Sequence, residues 1–144
     1  MRLEHVFPLE DPAVELPWGL SRSGAEALLR SAETGALAGG RLRVRCRLLG
    51  GLTTMVDFHF GEAGQRRLTR VEIERWPGRR KRREFDDLQR RLELWLGPAE
   101  PVAPDPAAKR SDIAPRAWRI GKLLATHAIE TRPAASERVV FEWS

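Results

Sequence analysis

Apolar side chains recur at two spacings in the first half of the chain, and each spacing predicts a different element. Over residues 22–34 they recur at helical spacing, which predicts a helix. Over about 42–48, 54–60 and 66–76 they alternate with polar residues. Because successive side chains of a strand point to opposite faces, these segments predict a meander of three antiparallel strands with one apolar face.

The second half of the chain repeats this order. Helical spacing over 82–96 predicts a second helix, and alternating segments over 116–121, 123–131 and 137–143 predict three further strands. A segment that holds five of the ten prolines, 98–115, separates this helix from the strands and is predicted to be a long loop. The chain therefore follows the order helix, three strands, helix, three strands.

The two halves also match at single positions. In each half a strand with a histidine, His59 or His127, precedes a strand that ends in a tryptophan, Trp76 or Trp143. This match predicts an ancient duplication of an αβββ unit, although two amphipathic hairpins of this length also resemble one another by chance. The expected fold class is α+β, with an antiparallel sheet and two helices packed on one face.

We expect a single domain over 1–144, since this is an ordinary length for one domain. Within it, 1–20 is predicted to be an irregular N-terminal arm that packs on the body through its apolar side chains. The first αβββ unit is predicted over 21–76 and the second over 82–144.

The charge of the chain narrows the classes of partner. It has 25 Lys and Arg against 20 Asp and Glu, a formal net charge of +5, which favours an anionic partner. Arginine outnumbers lysine 22 to 3, a bias that GC-rich bacterial coding also produces. The single cysteine, Cys46, cannot form an intramolecular disulfide. With no apolar signal core and no stretch long enough to span a bilayer, the sequence predicts a cytoplasmic protein without a membrane partner.

Few residues are candidates for catalysis. His5, His59 and His127 are far apart and lack a metal-ligand spacing. No glycine-rich nucleotide-binding motif is present, and Cys46 is predicted to face the core as a small buried residue. We therefore predict no catalytic residue, no metal and no cofactor.

Five consecutive cations precede the second predicted helix: Arg79, Arg80, Lys81, Arg82 and Arg83. Positive charge at a helix N-terminus opposes the helix dipole, so this cluster does not serve to stabilise the helix. It is a candidate for binding an acidic protein surface or the phosphates of a nucleic acid. The other interpretation is a solvated loop without a partner.

The outward face of the first meander is the second candidate surface. The residues predicted to share it are Arg43, Arg45, Arg47, Asp57, His59, Arg70, Glu72 and Glu74. One interpretation is a ladder of cross-strand ion pairs, and the other is a polar docking surface. If the two units join into one six-stranded sheet, this face becomes long and open, which suits a protein partner better than a small substrate.

The succession of elements resembles a known group of proteins. Trp18-Gly19, a capped helix, a meander and a second helix that ends at Leu96-Gly97-Pro98 resemble small bacterial α+β proteins of the immunity and inhibitor type. The duplicated helix-plus-meander layout is similar to the β-lactamase-inhibitor protein fold and to toxin-neutralising immunity proteins. The resemblance is one of topology, covers most of the chain and carries over no functional residue. Because many immunity proteins against nucleases are acidic, a basic one implies a target with an acidic surface.

These observations favour a non-enzymatic cytoplasmic bacterial protein that binds a protein partner with an acidic surface, as an immunity or adaptor protein. The alternative is a nucleic-acid-binding protein that uses the cluster 79–83. An enzyme of unknown class is the third possibility. The sequence leaves the oligomeric state open.

Overall fold

The computed structural model describes residues 3–32, 34–37, 40–61, 67–75, 81–101, 113–130 and 136–144. These residues form two helices, α1 (Arg22–Leu28) and α2 (Lys81–Leu96). The strands are β1 (Val6–Pro8), β2 (Glu15–Pro17), β3 (Thr34–Leu37), β4 (Arg41–Leu48), β5 (Leu52–His59), β6 (Arg70–Arg75), β7 (Glu100–Pro101), β8 (Arg116–Ile120), β9 (Leu123–Glu130) and β10 (Ser136–Trp143).

Eight of these strands form one antiparallel sheet in the order β3-β4-β5-β6-β10-β9-β8-β7. Each helix is followed along the chain by four strands of this sheet. The last strand of each half, β6 or β10, lies at the centre, where Ile73 is opposite Val139 and Arg75 is opposite Glu137. β1 and β2 pair in a separate ribbon. The predicted α+β class with an antiparallel sheet is therefore confirmed.

The first half contains an edge strand that the sequence did not predict. α1 ends at Leu28, and Thr34–Leu37 form β3, which pairs with β4. The predicted extension of the first helix to residue 34 is therefore wrong. Pairing with β4 gives the backbone of this segment the hydrogen bonds that a helix would otherwise supply, and Gly35 is a poor helix former.

The second half follows the prediction more closely. α2 has the predicted extent to within one residue, and β8, β9 and β10 coincide with the predicted strands. Gly97 ends α2 with a φ of 84°, and its N–H donates to the carbonyl of Glu93. Trp118 Nε1 donates to the Gly97 carbonyl at 2.8 Å, which ties the end of α2 to β8. The short strand β7 lies in the segment predicted to be a loop, of which 102–112 lie outside the described residues.

The N-terminal arm, expected to be irregular, contains the β1–β2 ribbon and belongs to the core. The Phe7 ring is fully buried, and its centroid lies 5.0 Å from that of Phe141 and 6.2 Å from that of Phe58. The centroids of Trp18 and Trp95 each lie 6.0 Å away. All four contacts are edge-to-face, the geometry in which aromatic pairs stabilise beyond the area they bury.

The two faces of the eight-stranded sheet differ. The inner face, defined here as the one that carries the buried apolar strand residues, packs against α2 and the arm. The outer face is the opposite one and carries the charged residues of β4 and β5 together with Arg70, Glu72 and Glu74 of β6. The period-two and helical spacing of the apolar residues predicts that five of them are buried against one another, and each is at most 2% exposed and belongs to one cluster: Phe58, Val71, Leu88, Leu92 and Phe141.

The two matched histidines lie on opposite faces of the sheet. His59 is on the outer face, opposite Arg70, whereas His127 is on the inner face, opposite Val139, and is fully buried. A rotation that superposed the two halves within one sheet would keep each face on its own side. These histidines therefore do not correspond, and Trp76, from the other matched pair, lies outside the described residues.

Candidate docking surface

The outer face brings its predicted residues together in cross-strand rows. Arg43 lies opposite Asp57, and Asp57 lies opposite Glu72 on the next strand. His59 lies opposite Arg70 in the neighbouring row. The expectation that these side chains share one face across three strands is confirmed, and their role in binding stays a prediction.

A two-pronged ion pair joins the first two strands of this face. Arg43 donates from Nε to Asp57 Oδ1 at 2.8 Å and from Nη2 to Asp57 Oδ2 at 3.1 Å. This geometry fixes both side chains, and the hydrogen bond to Asp57 raises the pKa of Arg43. Arg43 thus occupies both oxygens of a carboxylate that would otherwise face outward.

Glu72 lies at the centre of the outer face. His59 Nε2 is 2.8 Å from Glu72 Oε2, and Arg70 Nη2 donates to Glu72 Oε1 at 3.0 Å. The contact with His59 and, after it, the contact with Arg70 lower the pKa of Glu72 to about 2, although desolvation opposes this shift. At neutral pH Glu72 is therefore charged, and the Arg70 guanidinium beside it compensates that charge.

Strand β10 continues the row of ion pairs beyond the residues that the sequence predicted. Arg138 binds Glu74 and lies 3.6 Å from Glu72, and Arg70 Nη1 donates to Glu142 at 2.9 Å. Sequence reasoning missed Arg138 and Glu142, because their place beside β6 depends on the strand order of the sheet. The ladder of cross-strand ion pairs is present across four strands.

Two arginines of β4 on the outer face have an uncharged residue opposite them. Arg45 lies opposite Met55, and Arg47 lies opposite Thr53. Both arginines are exposed, and neither forms an ion pair within the part of the chain that the structure describes. They line a shallow depression together with Thr53 and Asp11. At this end of β4 the positive charge of the face is therefore not compensated by a neighbour on the sheet.

The described residues of the basic cluster lie on α2 and not on the outer face. Lys81, Arg82 and Arg83 form the first turn of α2, while Arg79 and Arg80 lie outside the described residues. The helix starts one residue earlier than predicted, because Lys and Arg are good helix formers, so Lys81 lies within it together with Arg82 and Arg83. Since α2 packs on the inner face, these three described cations do not share one surface with the outer-face residues.

A buried polar cluster on the inner face was not predicted. His127 Nε2 lies 2.8 Å from Glu137 Oε2, and its Nδ1 lies 2.8 Å from Gln89 Oε1 of α2. Arg75 donates to the other oxygen of Glu137. The Phe85 ring of α2 stacks on the imidazole with 3.8 Å between centroids and 9° between planes. Through Gln89 and Phe85 these contacts join α2 to the sheet.

Burial and pairing act against each other in this cluster. Burial lowers the pKa of His127, and the hydrogen bond to Glu137 opposes that shift. Desolvation acts to raise the pKa of Glu137, but the hydrogen bonds from His127 and Arg75 outweigh it and the pKa is lowered. Glu137 is therefore a buried carboxylate with a partner on each side, which is the condition under which proteins tolerate a buried charge.

The described residues offer little else for chemistry. Cys46 is buried, and burial raises its pKa to about 12, which confirms its interpretation as a small core residue. No three or more His, Cys, Asp or Glu side chains gather as metal ligands in the described part of the chain. No helix formed by these residues is long and apolar enough to cross a membrane. No family model, curated protein or solved structure matches the chain.

Proposed function

We propose that this chain is a non-enzymatic protein-binding module, of the immunity or adaptor kind, that docks an acidic partner surface on the outer face of its sheet. The observation that carries the proposal is the difference between the two faces. α2 and the arm pack on the inner face, whereas the outer face presents charged side chains across four neighbouring strands.

The balance of charge on this face favours an acidic partner. Arginine or histidine side chains contact the carboxylates of Asp57, Glu72 and Glu142, whereas Arg45 and Arg47 have no such partner among the described residues. The charge left over is positive, as is the net charge of the chain. Complementary potentials steer two proteins together and fix their orientation.

The layout supports the immunity or inhibitor kind. Each helix precedes four strands of one sheet. Ala25 of α1 and Leu29, the residue that follows α1, belong to the same core cluster as Leu88 and Leu92 of α2. We propose from this that the halves are duplicated units with both helices on one face, as the resemblance to bacterial inhibitor proteins implies.

A nucleic acid is the second candidate partner. Lys81, Arg82 and Arg83 are consecutive cations at the start of α2, and none of them forms an ion pair with another described residue. A phosphate backbone would compensate them, and its affinity would fall steeply as salt rises.

Site-directed photo-cross-linking in a bacterial lysate separates these two functions. A photoreactive residue at Thr53 or Thr126 reports on the outer face, and one at Arg90 reports on α2. We expect protein adducts from at least one of the two outer-face positions, and these adducts should persist after nuclease treatment. Adducts from Arg90 alone, lost after nuclease treatment, would contradict it and favour the nucleic acid.

A further inference from the structure

We infer that the partner binds at one corner of the outer face, and that it presents an extended acidic segment with an apolar side chain beside its carboxylates. The corner consists of Arg45, Arg47, Thr53 and Met55, and we call it the basic corner. This inference rests on the proposed function and names the chemistry of the partner.

The basic corner holds two neighbouring arginines, Arg45 and Arg47, that form no ion pair with a described residue of the sheet. Three other arginines of the face bind carboxylates: Arg43 binds Asp57, Arg70 binds Glu72 and Glu142, and Arg138 binds Glu74. These pairs engage the carboxylates of β5, β6 and β10 on this face. A carboxylate for Arg45 or Arg47 must therefore come from outside the sheet.

The spacing of the two arginines fits an extended chain. Arg45 and Arg47 are two positions apart on β4 and point to the same face, so their Cα atoms lie roughly 7 Å apart. Alternate residues of an extended partner have the same separation. Two acidic residues at positions i and i+2 of such a segment can each bind one guanidinium, in the two-pronged geometry that Arg43 already makes with Asp57.

An apolar contact lies beside these cations. Met55 is opposite Arg45 and is 39% exposed, and it is the one large exposed apolar residue on the sheet among those described. It lines a depression with Arg43 and Glu74, next to the one lined by Arg45 and Arg47. A methionine side chain adapts to partners of different shape, so an apolar side chain next to the acidic residues can cover it.

One residue opposes such a partner. Asp11 lines the same depression as Arg45 and Arg47. Its carboxylate repels an incoming acid, so we expect the Asp11→Asn variant to bind an acidic segment more tightly than the wild type.

The test is a peptide titration followed by NMR on the intact chain. The probe is a capped peptide of the pattern Glu-Thr-Glu-Thr-Leu-Thr, with one control peptide in which Gln replaces Glu and another in which Ser replaces Leu. The chain has two methionines, so the Met55 methyl signal is easily assigned. We expect this signal to move with the first peptide, and roughly tenfold weaker binding after the double change Arg45→Glu and Arg47→Glu.

The matched control is Arg119→Glu, an exposed arginine on the same face at the far side of the sheet, which should change the affinity less than about twofold. If Arg45→Glu and Arg47→Glu unfold the chain, the variant with Gln at both positions replaces it. Binding that shifts other outer-face signals but not Met55 overturns the basic corner and leaves the proposed function standing. If the peptide binds nowhere on the outer face, both the basic corner and the proposed function are refuted. If a single-stranded oligonucleotide displaces the peptide, the proposal that the partner is an acidic protein is refuted.

Discussion

Replacing Glu137 by Gln tests whether the buried polar cluster holds α2 on the sheet. The Glu137 side chain is 1% exposed and lies between Arg75 and His127. Glutamine keeps the size of the side chain and removes its charge. Arg75 then loses its counter-ion, and His127, which also contacts Gln89 of α2, loses a charged partner.

The expected loss of stability is large. Removing one partner of a buried ion pair costs about 3–5 kcal/mol. The Arg75 side chain is 29% exposed and can partly rehydrate once Glu137 is replaced. We therefore expect a cost near the lower limit of this range. A domain is stable by only about 5–15 kcal/mol. For a chain of this length each kcal/mol lowers the melting temperature by roughly 2–4 °C, so we expect a decrease of about 6–12 °C.

Urea unfolding followed by circular dichroism measures this loss against a matched control. Glu142→Gln changes a carboxylate on the same strand that is 49% exposed and pairs with Arg70, and it should cost less than about 1 kcal/mol. Adding Arg75→Met to Glu137→Gln should restore part of the stability, because the unpaired cation is removed. If Glu137→Gln costs no more than Glu142→Gln, the cluster does not hold the helix and our reasoning is refuted.

Three further predictions follow from single side chains. Phe7→Ala should destabilise by about 3–5 kcal/mol and Phe7→Leu by clearly less, as measured by thermal melting; a loss below about 1 kcal/mol would mean that the arm lies outside the core. The pKa of Glu72 is about 2 in the folded chain against an ordinary value of 4.5. Its contribution to the free energy of unfolding is therefore fully present above pH 4.5 and is lost as the pH falls towards 2. Glu72→Gln should therefore flatten the loss of urea stability over this range, and an unchanged pH profile would contradict the ion-pair assignment. Cys46 should react with a thiol reagent only after unfolding, since it is buried with a pKa of about 12; rapid reaction of the native chain would show that it is accessible.

The sequence predicted the charged outer face because a two-residue period assigns each side chain to a face. Arg43, Asp57 and Glu72 needed only this local rule. This local rule could not predict that Arg138 and Glu142 lie on the same face beside these residues, because their position depends on the pairing of two strands that are far apart in the chain.

Two other misses have different causes. The segment of β3 has no alternation of apolar and polar residues, and its strand conformation depends on pairing with β4. For the buried polar cluster the sequence did contain a signal: His127 alternates with the apolar residues Ala125 and Ile129, so it lies on the same, buried side of the strand. A polar residue at such a position needs a buried partner, but the identity of that partner, Glu137 on the next strand, depends on the strand register.

The central β6–β10 pair sets the order in which such a chain can fold. Within each half, neighbouring strands are close in sequence, whereas the contacts between β6 and β10 join residues 62 and 72 positions apart. Closing long loops makes non-local pairing slow compared with local hairpins, so each half should gain its meander before the halves join. Until that step, β6 and β10 are open edges that can pair with another molecule. Exchange of halves between two chains would satisfy both edges, which makes domain swapping the expected route to a dimer at high protein concentration during refolding.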